Sequence, residues 1–252
     1  MSESSKKYAI VTGASSGIGA ATAKLLAENG YQVIAAARRM EKLEELALEN
    51  SNILAFELDV TDQAIVDSFT AKISDFPISI LVNNAGGAFD ALSVQNSDPH
   101  SWQKTFEVNV VGTVRMVKAI TPLLIQNNQG HIVVVSSTAG HVAYENGGSY
   151  VAAKFAETSL AQTLRLELNG LPIRVTEIAP GMVKTEEFAT KRFEGDVSKA
   201  AKVYEGVAEP LVAEDIAETI RWCVMLPHHI NIDSMVVRPT AQAANHKVHR
   251  VL

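Results

Sequence analysis

Short apolar runs alternate with longer amphipathic stretches along most of this chain, and this alternation restricts its fold more than any other feature. Strands are predicted at residues 8–12, 31–37, 53–59, 78–84, 131–137, 173–179 and 235–239. Several runs, such as "HIVVV", are apolar at every position, as in strands buried on both faces of a parallel sheet. Helices are predicted at residues 17–29, 40–49, 62–73, 99–125, 149–169 and 213–225. The pattern predicts right-handed β-α-β units and an α/β fold, with one doubly wound parallel sheet of about seven strands and helices on both faces.

Length and regularity indicate one domain that covers residues 1–252, because no linker, low-complexity tract or fixed-period repeat interrupts the chain. A charged segment near residues 185–210 breaks the strand–helix rhythm. We interpret it as a substrate lid packed over the site, and the alternative is a solvated helical hairpin.

Charge and composition exclude several classes of protein. The formal net charge is −6 and there is no block rich in Lys or Arg, so neither nucleic acid nor a membrane is expected as a partner. The polar start of the chain matches neither a signal peptide nor a spanning segment. The single cysteine, Cys223, excludes an internal disulfide framework and fits a reducing compartment. We therefore expect a cytoplasmic protein with a small-molecule substrate.

A glycine-rich stretch, "TGASSGIG" at residues 12–19, follows the first predicted strand and opens a helix. Glycines allow a sharp turn and close approach of a ligand to the backbone, and a helix N-terminus offers free N–H groups to a pyrophosphate. The spacing differs from the common G-x-G-x-x-G pattern, and the alternative is a turn that binds nothing. The predicted pyrophosphate-binding residues are Gly13, Ser15, Ser16, Gly17, Ile18 and Gly19.

The end of the second predicted strand indicates which dinucleotide is bound. NAD sites usually place a carboxylate there, whereas NADP sites need a cation for the 2′-phosphate. Arg38 and Arg39 stand at this place, so NADP(H) is the predicted cofactor, unless both arginines simply lie in solvent. Asp59, followed by Val60, is placed to accept a hydrogen bond from the adenine amino group. The alternative for Asp59 is an N-cap of the helix that begins near Asp62.

Seven motifs taken together resemble the short-chain dehydrogenase/reductase family. They are "TGASSGIG", "LDV", "NNAG", "NVVG", "SS", "YVAAK" and "PGMVKT", and their order and spacing match over nearly the whole chain. The resemblance implies a single Rossmann-type domain, an NAD or NADP cofactor and a homodimer or homotetramer. It also implies cofactor contacts at Asn84, Ala85, Gly86, Pro180, Gly181, Val183 and Thr185.

A tyrosine and a lysine in "YVAAK" share one helix face, because Tyr150 and Lys154 are four residues apart. The phenol of a free tyrosine has a pKa of about 10, so proton exchange near neutral pH requires a fall of roughly 2–3 units. A neighbouring ammonium lowers such a pKa. The resemblance implies that Tyr150 exchanges the proton and that Ser137 hydrogen-bonds the substrate oxygen. It further implies that Lys154 tunes the tyrosine and binds the nicotinamide ribose, and that Asn109 supports a water linked to Lys154.

The substrate is indicated less directly. The C-terminal half resembles the branch of the family that comprises NADP-dependent 3-hydroxy acid and serine dehydrogenases, which implies a small hydroxy acid. A carboxylate needs a cation, and Lys184, Lys191 and Arg192 lie in the stretch that could close over the site, with Lys184 and Arg192 as predicted substrate contacts. The alternative for these cations is a solvated charged surface.

Two other functions stay open at this point. Phe188 and Phe193 would fit a more apolar pocket, as in a broad ketone or aldehyde reductase. A nucleotide sensor that has lost catalysis is a further alternative, although such a protein would be expected to lack the tyrosine or the lysine. No metal is predicted, because the histidines have no accompanying set of acidic or cysteine ligands.

Overall fold

Seven parallel strands form one sheet in the computed structural model, which describes residues 7–185, 187–193 and 195–251. The strands are β1 (Tyr8–Thr12), β2 (Gln32–Ala37), β3 (Ile53–Glu57), β4 (Ile78–Asn83), β5 (Gly130–Val135), β6 (Ile173–Pro180) and β7 (Ser234–Val237). Their order across the sheet is β3-β2-β1-β4-β5-β6-β7. The predicted doubly wound, Rossmann-type α/β fold is confirmed.

Helices connect the strands, as the amphipathic stretches predict. They are α1 (Gly17–Glu28), α2 (Met40–Glu49), α3 (Gln63–Lys72), α4 (Pro99–Phe106), α5 (Gly112–Gln126), α6 (Gly148–Glu167), α7 (Phe188–Arg192), α8 (Val197–Lys202) and α9 (Ala213–Met225). The helix predicted over residues 99–125 is continuous over Pro99–Gln126 in the structure, and it contains a π-helical turn at Glu107–Val111 between α4 and α5.

A small antiparallel hairpin near the C-terminus was not predicted. It consists of β8 (Gln242–Ala244) and β9 (Lys247–Val248). Strands of three and two residues are too short to show a sequence periodicity, so the pattern that finds the main sheet gives no signal here.

Each face of the sheet has its own apolar core, because alternate strand residues point to opposite sides. On β1, Ala9 and Val11 lie in the core that α1 and α9 cover, whereas Ile10 lies in the core beneath α3, α5 and α6. Such burial on both faces explains why the strands are continuously apolar.

The carboxyl ends of the strands form one edge, and the strand order reverses between β1 and β4. In open α/β sheets ligands bind in the crevice at such a switch point. The loops after these two strands are tied together, since Thr12 Oγ1 accepts from the backbone N–H groups of Asn84 and Ala85, both at 3.0 Å. Asn84 Nδ2 donates to Thr12 O at 2.9 Å. The sheet therefore fixes the floor of a crevice at this edge.

The continuous helical stretch Pro99–Gln126 is long and apolar enough to cross a membrane by length and composition alone, with a mean hydropathy of 1.4 over its most apolar window. Met116, Ile120 and Leu124 of this stretch are fully buried against the sheet. Its apolar side chains thus have a role in the core.

Candidate active site

A cavity of about 580 Å³ lies at the carboxyl edge of the sheet. Its walls include most of the residues predicted to bind the cofactor, the predicted tyrosine, lysine and serine, and part of the 185–210 segment. The predicted site residues on its lining are Gly13, Ser15, Ser16, Gly17, Ile18, Arg38, Arg39, Asp59, Val60, Asn84, Ala85, Gly86, Ser137, Tyr150, Lys154, Pro180, Gly181, Val183, Thr185 and Arg192.

The glycine-rich loop between β1 and α1 is shaped for close backbone approach. Gly13 and Gly17 have φ of +68° and +53°, a region that residues with a Cβ rarely adopt. Gly19 does not line the cavity, but a Cβ there would lie 2.6 Å from Asn84 Nδ2. This glycine allows the start of α1 to pack against the loop after β4. The N-terminus of α1 consequently faces the cavity, in the arrangement that binds pyrophosphate.

Arg39 contacts the glycine-rich loop from the end of β2. Its guanidinium donates to Ser15 Oγ at 2.9 Å and to Ser16 Oγ at 3.1 Å. It also forms a bidentate pair with Glu187, at 2.7 and 3.1 Å. Arg38 is exposed and lines the same end of the cavity. Two guanidinium groups therefore stand where the second strand ends, and one of them is engaged by a carboxylate of the 185–210 segment.

Glu187 remains ionised in this contact. Partial burial opposes its ionisation, but hydrogen bonds from Arg39 and Lys191 lower the pKa of Glu187 to about 2. The Lys191 ammonium lies 2.5 Å from Glu187 Oε2. The Glu187 carboxylate thus forms with Arg39 the kind of charged, bidentate contact that a phosphate would form.

Asp59 lies on the cavity wall and is held by its own turn. Its Oδ1 accepts from the backbone N–H and from the hydroxyl of Thr61, at 2.9 and 2.7 Å. The N-cap of α3 is Asp62, whose side chain accepts from Ala64 N and Ile65 N. The N-cap alternative for Asp59 is therefore wrong, and its second carboxylate oxygen is left for another partner.

Ser137 lies directly beyond β5, where the chain enters a 3-10 turn at Thr138–Gly140. Its Oγ accepts from Ala139 N at 3.1 Å and lies 3.3 Å from Pro180 O. The side chain lines the cavity and is almost buried. These two bonds fix the hydroxyl at the cavity wall opposite the start of α6.

Tyr150 and Lys154 share the buried face of α6. The Lys154 ammonium lies 5.6 Å from the centre of the Tyr150 ring and donates to Val135 O at 3.0 Å. Burial disfavours the charged lysine, but the surrounding carboxylates and Tyr150 outweigh burial and raise the pKa of Lys154. The lysine is therefore a cation beside the tyrosine.

Asn109 is completely buried in the π-helical turn and does not line the cavity. Its amide donates to Gly87 O and Thr105 O at 2.8 and 2.7 Å, and its Oδ1 accepts from Gly87 N at 3.2 Å. Its side chain therefore holds the glycine-containing loop after β4, which itself lines the cavity.

The two cations predicted to contact substrate lie in different surroundings. Val183 makes a bridge with Leu211 in extended conformation, so Val183 faces the cavity while Lys184, the next residue, is exposed. Lys184 is absent from the cavity lining among the described residues. Arg192 lines the cavity, donates to Asn146 O at 3.0 Å and lies 5.4 Å from the centre of the Tyr144 ring.

Several cavity residues were missed by the sequence analysis. Tyr144 lines the wall beside Arg192, and its pKa is raised by burial. Gln242 and Asn245 come from the C-terminal hairpin; Gln242 accepts from Met182 N at 2.8 Å, and Asn245 donates to Thr138 O at 3.2 Å. Arg250 also lines the cavity. A motif search finds none of these, because their place depends on how the C-terminal chain folds back.

The residues present fit a dinucleotide cofactor. The cavity runs from the two arginines and Asp59, past the glycine loop, to Ser137, Tyr150 and Lys154. A Cβ at Gly13 would lie 2.9 Å from Ala85 Cα, so this part of the lining requires glycine. The adenosine end would be held by the arginines and Asp59, the pyrophosphate by the loop, and the nicotinamide end by Lys154 and Thr185.

Comparison with known proteins agrees with this geometry. The family model for short chain dehydrogenases matches residues 7–195. An uncharacterised oxidoreductase of Mycobacterium tuberculosis strain H37Rv is 46% identical over 239 residues, which cover 95% of this chain and 93% of that protein. The NADP-dependent 3-hydroxy acid dehydrogenase YdfG of Salmonella typhi is 38% identical over 245 residues, which cover 96% of this chain and 98% of that protein.

A solved structure is also similar over almost the whole chain. The closed form of a serine dehydrogenase complexed with NADP+ superimposes with a TM-score of 0.91 at 36% identity, and covers 97% of this chain and 100% of that one. With the family model matched over most of the chain, this protein belongs to the short-chain dehydrogenase family.

Proposed function

We propose that this protein is an NADP(H)-dependent oxidoreductase that transfers a hydride between the cofactor and a small hydroxy acid, or the corresponding oxo acid. Substrates of the 3-hydroxy acid, serine or allo-threonine type are expected. The observation that carries the proposal is the single cavity with arginines and a glycine loop at one end and Ser137, Tyr150 and Lys154 at the other. The NADP-dependent names of similar proteins support the choice of cofactor.

This placement supports the following catalytic roles. When bound, the nicotinamide supplies the acceptor or donor of the hydride. In oxidation Tyr150 takes the hydroxyl proton of the substrate, and in reduction it returns that proton to the carbonyl oxygen. Ser137 would donate a hydrogen bond to the same oxygen, in place of its 3.3 Å bond to Pro180 O. Lys154 favours the phenolate of the tyrosine through its charge and would bind the ribose at the nicotinamide end.

Asn109 has an indirect role in this scheme. Its side chain is occupied by Gly87 and Thr105, so the water that it is proposed to hold near Lys154 would bind to its main-chain carbonyl. That carbonyl accepts from Thr113 Oγ1 at 2.6 Å.

A cation on the cavity wall favours an acidic substrate. Arg192 Nε is buried and has no hydrogen-bond partner within the described part of the chain. Arg192 is partly exposed and lines the cavity, and a guanidinium in this position is suited to a carboxylate. We therefore assign the substrate carboxylate to Arg192 and leave Lys184 outside the site, because its side chain is exposed beyond the cavity lining.

The 185–210 segment would act as a substrate lid. Glu187, Phe188, Ala189, Arg192 and Tyr204 from this segment line the cavity. Phe188 packs on Tyr150 with ring centres 5.5 Å apart. Closure of this segment would exclude water from the reacting atoms.

A broad ketone or aldehyde reductase is the second candidate. Phe188 and Phe193 both line the cavity and give the tyrosine apolar surroundings. Such a site would accept uncharged carbonyl compounds as readily as acids.

One experiment separates these functions. The purified protein is assayed with NADP and NAD against 3-hydroxypropionate, serine and allo-threonine, against their methyl esters, and with NADPH against uncharged ketones. We expect kcat/KM with NADP to be higher for the acids than for the esters. Equal rates for acids and esters would favour the broad reductase, and cofactor binding without any turnover would favour a nucleotide sensor.

A matched pair of variants tests the carboxylate contact. A charge-assisted hydrogen bond contributes about 1.5–3 kcal/mol, so Arg192→Gln is expected to lower kcat/KM for the acid by about 10–100-fold and to spare the ester. Lys184→Gln, which removes an exposed cation just before the 185–210 segment, serves as control and is expected to change neither. A loss for acid and ester alike in Arg192→Gln would reject the assignment.

We also propose a cytoplasmic protein that assembles as a homodimer or homotetramer. Apolar side chains are exposed on neighbouring helices, including Val114 on α5 and Phe155 and Leu166 on α6. Sedimentation of the purified chain would measure the assembly, and a monomer at micromolar concentration would contradict it.

A further inference from the structure

Two carboxylates are buried behind Lys154, and the reaction proposed above makes no use of them. Glu157 lies on α6, three residues after the lysine, and Glu177 lies on β6. Each is 1% exposed. Burial of a carboxylate is costly unless a partner charge or hydrogen bonds compensate for it, so their presence beside the site requires an explanation.

Glu157 is a direct partner of the lysine. Its Oε2 lies 2.6 Å from Lys154 Nζ. The ammonium is thus held from two sides, because Val135 O accepts from it at 3.0 Å. These contacts fix the position of a flexible side chain before any cofactor is bound.

Glu177 is a second, more strongly anchored charge. It accepts from Thr158 Oγ1 at 2.6 Å and from Ser234 Oγ at 2.9 Å, and lies 3.0 Å from His141 Nε2. The His141 side chain is partly exposed and connects this carboxylate to the surface. These three partners hold the Glu177 carboxylate in place.

Lys154 and Glu177 both influence the protonation of Glu157. Burial raises the pKa of Glu157 to about 7, against the opposing effect of the nearby Lys154 charge, and Glu177 adds to the rise. Glu157 is therefore an anion above about pH 7, and in that range it can compensate the charge of Lys154. The charged and titratable groups around it are Lys154 and Tyr150 on α6, Glu177 on β6 and, beyond Glu177, His141 after β5.

We propose that Glu157 is a positioning residue for the reaction, which holds the Lys154 ammonium in place and partly compensates its charge at the catalytic tyrosine. The inference rests on the proposed roles of Tyr150 and Lys154. An uncompensated ammonium favours the phenolate strongly, and a carboxylate 2.6 Å from it weakens that effect. Glu157 thereby sets the pH at which the tyrosine becomes a base.

The test compares the pH profiles of kcat/KM for alcohol oxidation in the wild type, Glu157→Gln and Glu157→Asp. The acidic limb of such a profile reports the base of the free enzyme. Glu157→Gln is expected to shift this limb to lower pH by roughly one unit. Glu157→Asp keeps a carboxylate on a shorter side chain and is expected to lie between the two. Glu167→Gln, which removes an exposed carboxylate at the end of the same helix, is the matched control and should leave the limb unchanged.

A readout independent of turnover accompanies this assay. The phenolate absorbance of each protein is titrated, and the step that Tyr150→Phe removes is assigned to Tyr150. Glu157→Gln is expected to move this step in the same direction as the kinetic limb.

The outcomes are distinct. If the acidic limb lies at the same pH in the wild type and in Glu157→Gln, and the phenolate step does too, the inference is overturned. The Lys154–Glu157 pair would then have only a structural role. If Glu157→Gln does not fold, an unshifted Glu157→Asp profile overturns it equally. If Tyr150→Phe retains the acidic limb, the proposed role of the tyrosine fails instead.

Discussion

Replacement of Arg39 by glutamine tests how the chain selects its cofactor. In the structure this guanidinium contacts Ser15 and Ser16 of the glycine loop and is paired with Glu187. A 2′-phosphate would have to compete with that carboxylate. We therefore expect Arg39→Gln to weaken NADPH binding, and to weaken NADH binding much less because NADH has no 2′-phosphate.

The expected magnitude follows from two opposing contributions. A charge-assisted hydrogen bond to phosphate contributes about 1.5–3 kcal/mol. The Arg39 side chain is 37% exposed, and the loss of a partly exposed ion pair such as Arg39–Glu187 costs about 0–1 kcal/mol. The difference, roughly 1–2 kcal/mol, corresponds to about a 5–30-fold loss of preference for NADPH over NADH.

Glu187→Gln provides the complementary measurement. It removes the competing carboxylate, so NADPH affinity is expected to rise by up to about fivefold. In the background of Arg39→Gln the same change should have almost no effect, since the ion pair is already lost. Arg221→Gln, which removes a surface arginine paired with Glu218 on α9, is the control.

The assay is titration calorimetry of all variants with NADPH and NADH at fixed ionic strength, together with the double variant. Equal weakening of the two cofactors by Arg39→Gln would refute the assignment of Arg39 to the 2′-phosphate. If Glu187→Gln raises NADPH affinity as much in the Arg39→Gln background as in the wild type, Glu187 acts by general repulsion of the cofactor and not through its ion pair with Arg39.

Three further predictions concern catalysis, packing and acid stability. Tyr150→Phe should reduce kcat at least about 100-fold, with an unchanged dissociation constant for NADPH. If the variant keeps most of its activity in a stopped-flow assay, Tyr150 has no part in the mechanism. Gly19→Ala should cost about 1–3 kcal/mol through overpacking against Asn84 and weaken NADPH binding, so an unchanged melting temperature and affinity would contradict the packing argument. Burial lowers the pKa of His131 from 6.5 to about 3. As pH falls below 6.5, the unfolded chain therefore takes up a proton at this histidine before the folded protein does. The free energy of unfolding should fall by up to about 1.4 kcal/mol per pH unit between pH 6.5 and about pH 3. Urea denaturation of His131→Gln should show a shallower pH dependence, and an identical slope would refute this source of acid instability.

The main sheet and its helices were predictable because their signals are local. Apolar runs and 3.6-residue periodicity located the strands and long helices to within one or two residues at most ends. The order of the strands across the sheet is known only from the structure. The π-helical turn at Glu107–Val111 escaped prediction, since its five residues continue the same helical pattern. The hairpin β8–β9 escaped because two very short strands have no periodicity.

The candidate site divides in the same way. The loop "TGASSGIG" and the pair Tyr150 and Lys154 were found from the sequence, because glycine spacing and a four-residue helix repeat are properties of neighbouring residues. Lys184 and Arg192 could not be told apart, since extended backbone at Val183 turns one outward while α7 brings the other to the cavity.

By itself the sequence determined the α/β architecture, the cradle for a dinucleotide and the tyrosine–lysine pair on one helix face. The tertiary structure alone decided which charges act together. Arg39 meets Glu187 across 148 residues of chain, and Glu177 of β6 approaches the α6 carboxylate and lysine only because β6 packs against that helix. Contacts between distant segments depend on the packing of whole elements, and no local pattern encodes the partner of a buried charge.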